Sequence, residues 1–219
     1  MPALSKERNL LQMLLVWMLD QESSVQSNYS ADLGRFAQEL DGKFPRAKAE
    51  YLRKKLIGED SYSMFADAQF VHLEAIDNDG WMLPILSIRW NFAAKPIEFR
   101  VRVALFLLSR AGSEADTQAI AFRIEAREGM IGVHCYPHAQ LIRQWEIGST
   151  RFAIPSPQWL PMSFPAWPMD CSEASPVGLL VAVFVTLYGA NFIGRVSAAP
   201  FRAQLVPYLK AIRYLQRSS

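Results

Sequence analysis

Ile97-Glu98-Phe99-Arg100-Val101-Arg102-Val103-Ala104-Leu105-Phe106-Leu107 is the stretch that decides the fold. Ile97, Phe99, Val101, Val103, Leu105 and Leu107 recur at every second position, with Glu98, Arg100 and Arg102 between them. Alternate side chains of an extended chain point to opposite faces, so this pattern predicts a strand with one apolar and one charged face.

Working outward, the same period continues on both sides. Leu83 to Phe92 alternates Leu86, Ile88, Trp90 and Phe92 with Ile85, Ser87, Arg89 and Asn91. Before it, Gln69 to Ile76 reads as a strand closed by the turn signal Asp77-Asn78-Asp79-Gly80. After it, Ile120, Phe122, Ile124 and Ala126 alternate with Ala119, Ala121, Arg123 and Glu125, Ile131 to Tyr136 gives a further run, and Gln140 to Ile147 a sixth. Connections this short suit hairpins and not parallel crossovers, which predicts an antiparallel meander of five or six strands. Two registers keep apolar residues facing across the Ala111–Asp116 connection. One sets Val103 against Phe122 and Arg102 against Arg123; the other sets Val103 against Ile124 and Arg102 against Glu125. The second is preferred, because opposite charges support a cross-strand pair.

Helical patterns flank the sheet. Ser5 is placed to cap a helix from Lys6 to about Asp20, Ser30 one through Leu40, and Pro45 opens a third that Gly58 ends in the left-handed conformation. Five prolines from Pro155 to Pro168 make that part irregular. Ser175 and Pro176 then open a helix that Gly189 closes, and Ser197 and Pro200 start a helical region interrupted at Pro207 and reaching about Arg217. The expectation is one α+β domain over 1–219, with its sheet packed against N-terminal and C-terminal helices. Its parts are a helical 1–58, a sheet over 66–147, an irregular proline–aromatic segment over 148–174 and a helical 175–217.

Composition narrows the setting. Of 219 residues, 51% are hydrophobic and 20% charged, an ordinary globular balance, and a net charge of +2 does not by itself imply nucleic acid. Two cysteines exclude a disulfide framework, so reduced thiols in the cytoplasm are expected. Leu10 to Leu19 imitates a signal peptide behind Lys6 and Arg8, but Glu7 intrudes and no small-residue cleavage site follows. Ala174 to Gly194 is free of charge, yet its dense apolar part is only Val177 to Tyr188, the length of a buried core helix. No membrane partner is expected.

No phosphate loop, dinucleotide fingerprint or nucleophile elbow occurs. His134-Cys135-Tyr136-Pro137-His138 is the densest cluster of reactive groups. On a straight strand its two histidines lie about 13 Å apart, so a metal shell needs Pro137 to fold the chain back and His72 or an acid to complete it. No metal and no cofactor is expected, and Cys135 is read as a core residue. Arg100, Arg102, Arg123, Glu125, Arg127 and His134 fall on one face of the meander, a surface suited to an anion or a nucleic-acid backbone, or simply solvated with cross-strand ion pairs. Arg202, Lys210, Arg213 and Arg217 form one side of the last helix, and no acid follows Glu173. Trp159, Phe164 and Trp167 pack over the sheet or anchor another protein.

These residues favour a non-catalytic binding protein, an accessory subunit of a larger intracellular assembly. Its contacts run through Arg102, Arg123 and the last helix, with another protein as first partner and nucleic acid as second. The alternative is a hydrolase or nuclease-like enzyme using His134 or His138, with or without a metal.

Overall fold

The computed structural model describes residues 2–26, 28–77, 81–94, 97–108, 118–125, 138–141, 144–147, 150–153 and 175–217. Three helices open the chain: α1 (Pro2–Gln26), α2 (Ala31–Lys43) and α3 (Ala49–Gly58). The strands follow as β1 (Ser61–Ser63), β2 (Val71–His72), β3 (Ile76–Asp77), β4 (Trp81–Asn91), β5 (Glu98–Leu108), β6 (Gln118–Glu125) and β7 (His138–Leu141). A separate hairpin pairs β8 (Gln144–Ile147) with β9 (Thr150–Ala153), and the helices α4 (Pro176–Val196) and α5 (Arg202–Arg217) close the fold.

Every pairing in the main sheet is antiparallel, in the order β1-β4-β5-β6-β7, and β2 and β3 continue the line of β1 along β4. The chain is therefore an α+β domain on an antiparallel meander, as the alternation predicts. Tertiary demands move several boundaries. Pro2 is tolerated in a first helical turn, so α1 begins before Ser5 and runs on to Gln26. The third helix waits until Ala49 because residues 45–47 pair with Phe70: Phe70 N–H donates to Pro45 O (2.9 Å) and Ala47 N–H to Phe70 O (2.7 Å). Gly58 is not left-handed; among the described glycines only Gly189 has a positive φ. Thr150–Ala153 is a strand where an irregular segment is expected, and Gln140 and Gln144 belong to different strands.

Both faces of β4 and β5 are used. Leu86, Ile88, Trp90, Phe99, Val101, Val103, Phe122 and Ile124 face a core shared with α1, α3, α4 and α5. Trp90 is fully buried there, and its indole N–H donates to Glu59 O at 3.0 Å. On the other face α2 lays Leu33, Phe36, Ala37 and Leu40 over Leu83, Ile85, Ala104, Phe106, Ala119 and Ala121. Only that end of the second face is covered by α2. The burial selects the register, and it is not the preferred one: Val103 pairs with Phe122, Arg102 with Arg123 and Arg100 with Glu125. The alternative shift would set Arg123 beside Ala104, under the apolar side of α2, and burying a charge costs more than a surface ion pair returns.

α4 is long and apolar enough to cross a membrane, and half of its most apolar stretch is buried inside the fold. Val177 and the run Leu179 to Val185 are buried. Ser175 caps this helix by accepting from Gly178 N–H at 3.1 Å, with Pro176 at its first position. Gly189, at φ 53° and ψ −129°, leaves the helical conformation and closes the first segment as expected; a second helical segment continues across this kink to Val196. α5 likewise runs through Pro207, whose side chain is exposed. The charges that mimic a leader peptide have structural partners. Arg8 donates to Leu56 O (2.7 and 3.0 Å), Ile57 O (3.0 Å) and Asp60 (2.7 Å), capping the last carbonyls of α3. Glu7 accepts from Val177 N–H (3.4 Å) at the positive end of α4.

Candidate anion pocket on the sheet

Where α2 stops, the second face of the sheet carries two rows of polar residues fixed by register. Ser63, Arg89, Arg100, Glu125 and His138 lie side by side across β1, β4, β5, β6 and β7. Two residues along, Ser87, Arg102, Arg123 and Gln140 form the second row. Arginine thus stands directly opposite arginine twice, Arg89 with Arg100 and Arg102 with Arg123, an arrangement that is unfavourable unless other charge compensates it.

Over these rows lies a cavity of about 230 Å³ lined by Ser63, Phe65, Ala66, Ser87, Arg89, Arg100 and Arg102. Strands β4 and β5 form its floor, with Ser87 only 3% exposed. The turn after β1 forms its wall. There the Arg102 guanidinium carbon sits 4.0 Å from the centroid of the Phe65 ring, a stack that orients the guanidinium edge. Arg89 is half exposed and lies 3.9 Å from Glu98, a solvent-screened pair of little strength. Among the described residues no carboxylate lines the cavity.

The wall is held from behind. Met64 N–H donates to Ile88 O (3.0 Å) and Gln69 N–H to Met64 O (3.0 Å), while Ala68 adopts φ 49°, a strained value for a residue with a Cβ. Asp67 is clamped by two phenols: Tyr51 donates to its Oδ2, Tyr62 Oη is 3.1 Å from the same atom, and the two hydroxyl oxygens are 2.5 Å apart. Lys55 Nζ adds its charge 3.6 Å from Asp67 and 4.8 Å from the Tyr62 ring centroid. The Tyr51 hydrogen bond leads in holding the Asp67 carboxyl below its usual range, and burial pushes both phenols up, Tyr62 far above its usual value. Phenols held protonated are donors, not nucleophiles, so this cluster positions the turn and with it Phe65.

His72 and His138 are not brought together. His72 lies on β2, four strand spacings or about 19 Å across the sheet from His138 on β7. Its Nε2–H donates to Phe44 O at 2.6 Å, and its Nδ1 finds no hydrogen bond although Asp41 Oδ1 is 3.0 Å away. Asp41 instead accepts from Arg46 at 2.9–3.1 Å. Burial, and then the Arg46 charge, pull the His72 pKa down to about 4, so the ring is neutral. Among the described residues no group of His, Cys, Asp and Glu is placed to hold a metal ion.

Of the residues singled out in the sequence, Arg102 and Arg123 are brought together with Arg100. Arg202 and Lys210 are exposed on α5, and Arg213 and Arg217 follow along the same helix. α5 packs through Leu205 into the core on the opposite side of the sheet, so the two basic sets form no common surface. Arg195 is bound to Glu74. His138 begins β7, whereas His134, Cys135, Arg127, Trp159, Phe164 and Trp167 lie outside the described residues. Sequence reading passed over Arg89, Ser87, Ser63 and Phe65. The first two were carried by the same alternation as Arg100; the others sit in and beside a turn that no periodicity marks. The chain matches no family model, no curated protein and no solved structure.

Proposed function

We propose that this chain is a non-catalytic binding protein, an accessory component of a larger assembly, and that its sheet pocket receives an anionic group of the partner. The observation that carries this is a concave site lined by Arg89, Arg100, Arg102 and two serines, with no acid among its described lining residues. Cations gathered around one cavity raise the local concentration of anions and fix their orientation. A protein partner is the first expectation and nucleic acid the second. The basic side of α5 offers a separate contact on the far side of the sheet. Affinity capture from the native cell, at low and high salt, tests this with wild type, Arg89→Glu and Lys210→Glu. Salt-sensitive capture lost in Arg89→Glu supports the pocket; loss in Lys210→Glu moves the contact to α5; equal capture by all three proteins refutes a basic contact.

The hydrolase reading has one observation in its favour: Glu125 stands opposite His138 in register, which is where an acid orienting a general base would stand. Hydrolysis of phosphoester or carboxylester substrates that is lost in His138→Ala would favour it over the binding reading.

A further inference from the structure

We infer that α5 docks on the phosphate backbone of a nucleic acid; this rests on α5 being a basic contact separate from the sheet pocket. Arg202, Lys210, Arg213 and Arg217 fall within about 80° of one another around the helix and span about 22 Å of its length. Arg202 and Lys210 are exposed, and among the described residues neither is paired with a carboxylate. α5 contains no acid, and none follows Glu173 in the sequence. A cationic row of that length is matched best by a partner whose negative charge is continuous. Duplex nucleic acid supplies one phosphate per roughly 1.7 Å of axis, whatever its sequence. A folded acidic protein would have to place carboxylates in register along the same line.

The other exposed positions of α5 decide between a polyanion and a protein. Stable protein interfaces centre on large apolar or aromatic anchors that exclude water. From Arg202 to Lys210 the exposed residues are Arg202, Ala203, Gln204, Pro207 and Lys210, with no such anchor among them. Among the described residues the exposed large apolar side chain is Ile57, which stands on α3. The same lack of an anchor tells against a lipid surface, which takes up an apolar helix face. Phosphate contacts need only cations and polar donors held in position, and the hold on α5 is firm. Phe201, just before it, sets its ring edge-on to Trp17 of α1, with centroids 5.9 Å apart and planes at 85°. Leu205 is fully buried, and a Cβ on Gly178 of α4 would meet the Tyr208 ring at 3.4 Å. The cations therefore ride on a helix already docked against α1 and α4.

Fluorescence anisotropy with a labelled DNA duplex of about 20 base pairs tests this on the whole chain, between about 50 and about 300 mM KCl. The duplex should bind, and log K against log[KCl] should fall with a slope of about −2 to −4, at about 0.9 per phosphate contacted. Arg202→Gln and Lys210→Gln should each make the slope shallower by about one, and Arg202→Lys should restore it. Both positions are exposed, so the unfolding midpoint should stay at the wild-type value; if one variant does not fold, the other serves. A duplex of unrelated sequence should bind within about threefold, because phosphate contacts carry no sequence information. Arg89→Gln, at the sheet pocket, should leave the slope unchanged. Failure of the duplex to bind a folded wild type overturns the nucleic-acid occupant and leaves the sheet pocket standing. A slope unchanged in both α5 variants, or reduced in Arg89→Gln instead, places the contact off α5 and overturns the inference. Binding to poly-glutamate as tight as to the duplex, or tighter binding to vesicles of phosphatidylcholine and phosphatidylserine, overturns it in favour of an acidic protein or a lipid surface.

Discussion

Acidification from about pH 7.5 to about pH 5 should destabilise the fold by about 2 kcal/mol through His72 alone. The ring is 2% exposed and its pKa falls from 6.5 to about 4, chiefly through burial and the neighbouring Arg46 charge. The unfolded chain therefore binds a proton near pH 6.5 that the folded chain refuses until about pH 4. Between those limits the unfolded state holds more protons, so stability falls as pH falls, and it levels off below the folded value. The whole window is worth about 3 kcal/mol at one pKa unit per 1.4 kcal/mol, and the part above about pH 5 is worth about 2. His72→Gln removes the titration while keeping a donor for Phe44 O. Urea unfolding of both proteins across this range isolates the effect, because Asp41, Arg46 and every other titrating group are common to both. The stability gap between wild type and variant should narrow by about 2 kcal/mol as pH drops. A gap that stays constant would show that His72 carries its proton in the folded state, and the account of a neutral buried ring would be wrong.

Three further substitutions probe the backbone and a cap, each read by urea unfolding. Ala68→Gly should stabilise by about 0.5–1 kcal/mol, because φ 49° is strained for alanine and free for glycine. Gly189→Ala should do the reverse, costing about 1–3 kcal/mol at φ 53° and ψ −129°, and it should do so although a Cβ there meets nothing within 4 Å. Ser175→Ala removes the cap on Gly178 N–H and should cost about 1 kcal/mol; no change would mean that Glu7 and solvent suffice at that helix end.

The alternation of Val101 and Val103 with Arg100 and Arg102 made the sheet legible, because a period of two depends only on which side of a strand meets the core. The same reasoning stopped short at Ala104 and Phe106. They are buried on the opposite face because α2 lies over them, and nothing in a strand's own pattern announces a second layer. The register went astray for that reason. Pairing Arg102 with Glu125 weighs a local ion pair, while the fold weighs keeping Arg123 out from under α2. The arginine pocket was half legible. Arg100, Arg102 and Arg123 followed from alternation; the Phe65 wall depends on a turn fixed by Asp67 and two tyrosines drawn from α3 and β1. The structural role of Arg8 was not legible because its partners, the carbonyls of Leu56 and Ile57, are some fifty positions away.

The border formed by β1, β2 and β3 has a bearing on how this chain behaves in crowded company. A long strand at the rim of a sheet exposes an unbroken row of amides and carbonyls on which a stranger's strand can polymerise. Here the rim consists of pieces of three, two and two residues. The first two are separated by the turn that carries Phe65, and Phe70 spends its amide and carbonyl on residues 45–47. An incoming chain meets at most three residues in register before the template breaks. Fragmenting the rim thus protects eleven-residue β4 from runaway association, and a variant that straightened Ser61 to Asp77 into one strand would be expected to aggregate during folding rather than to fail by losing its core.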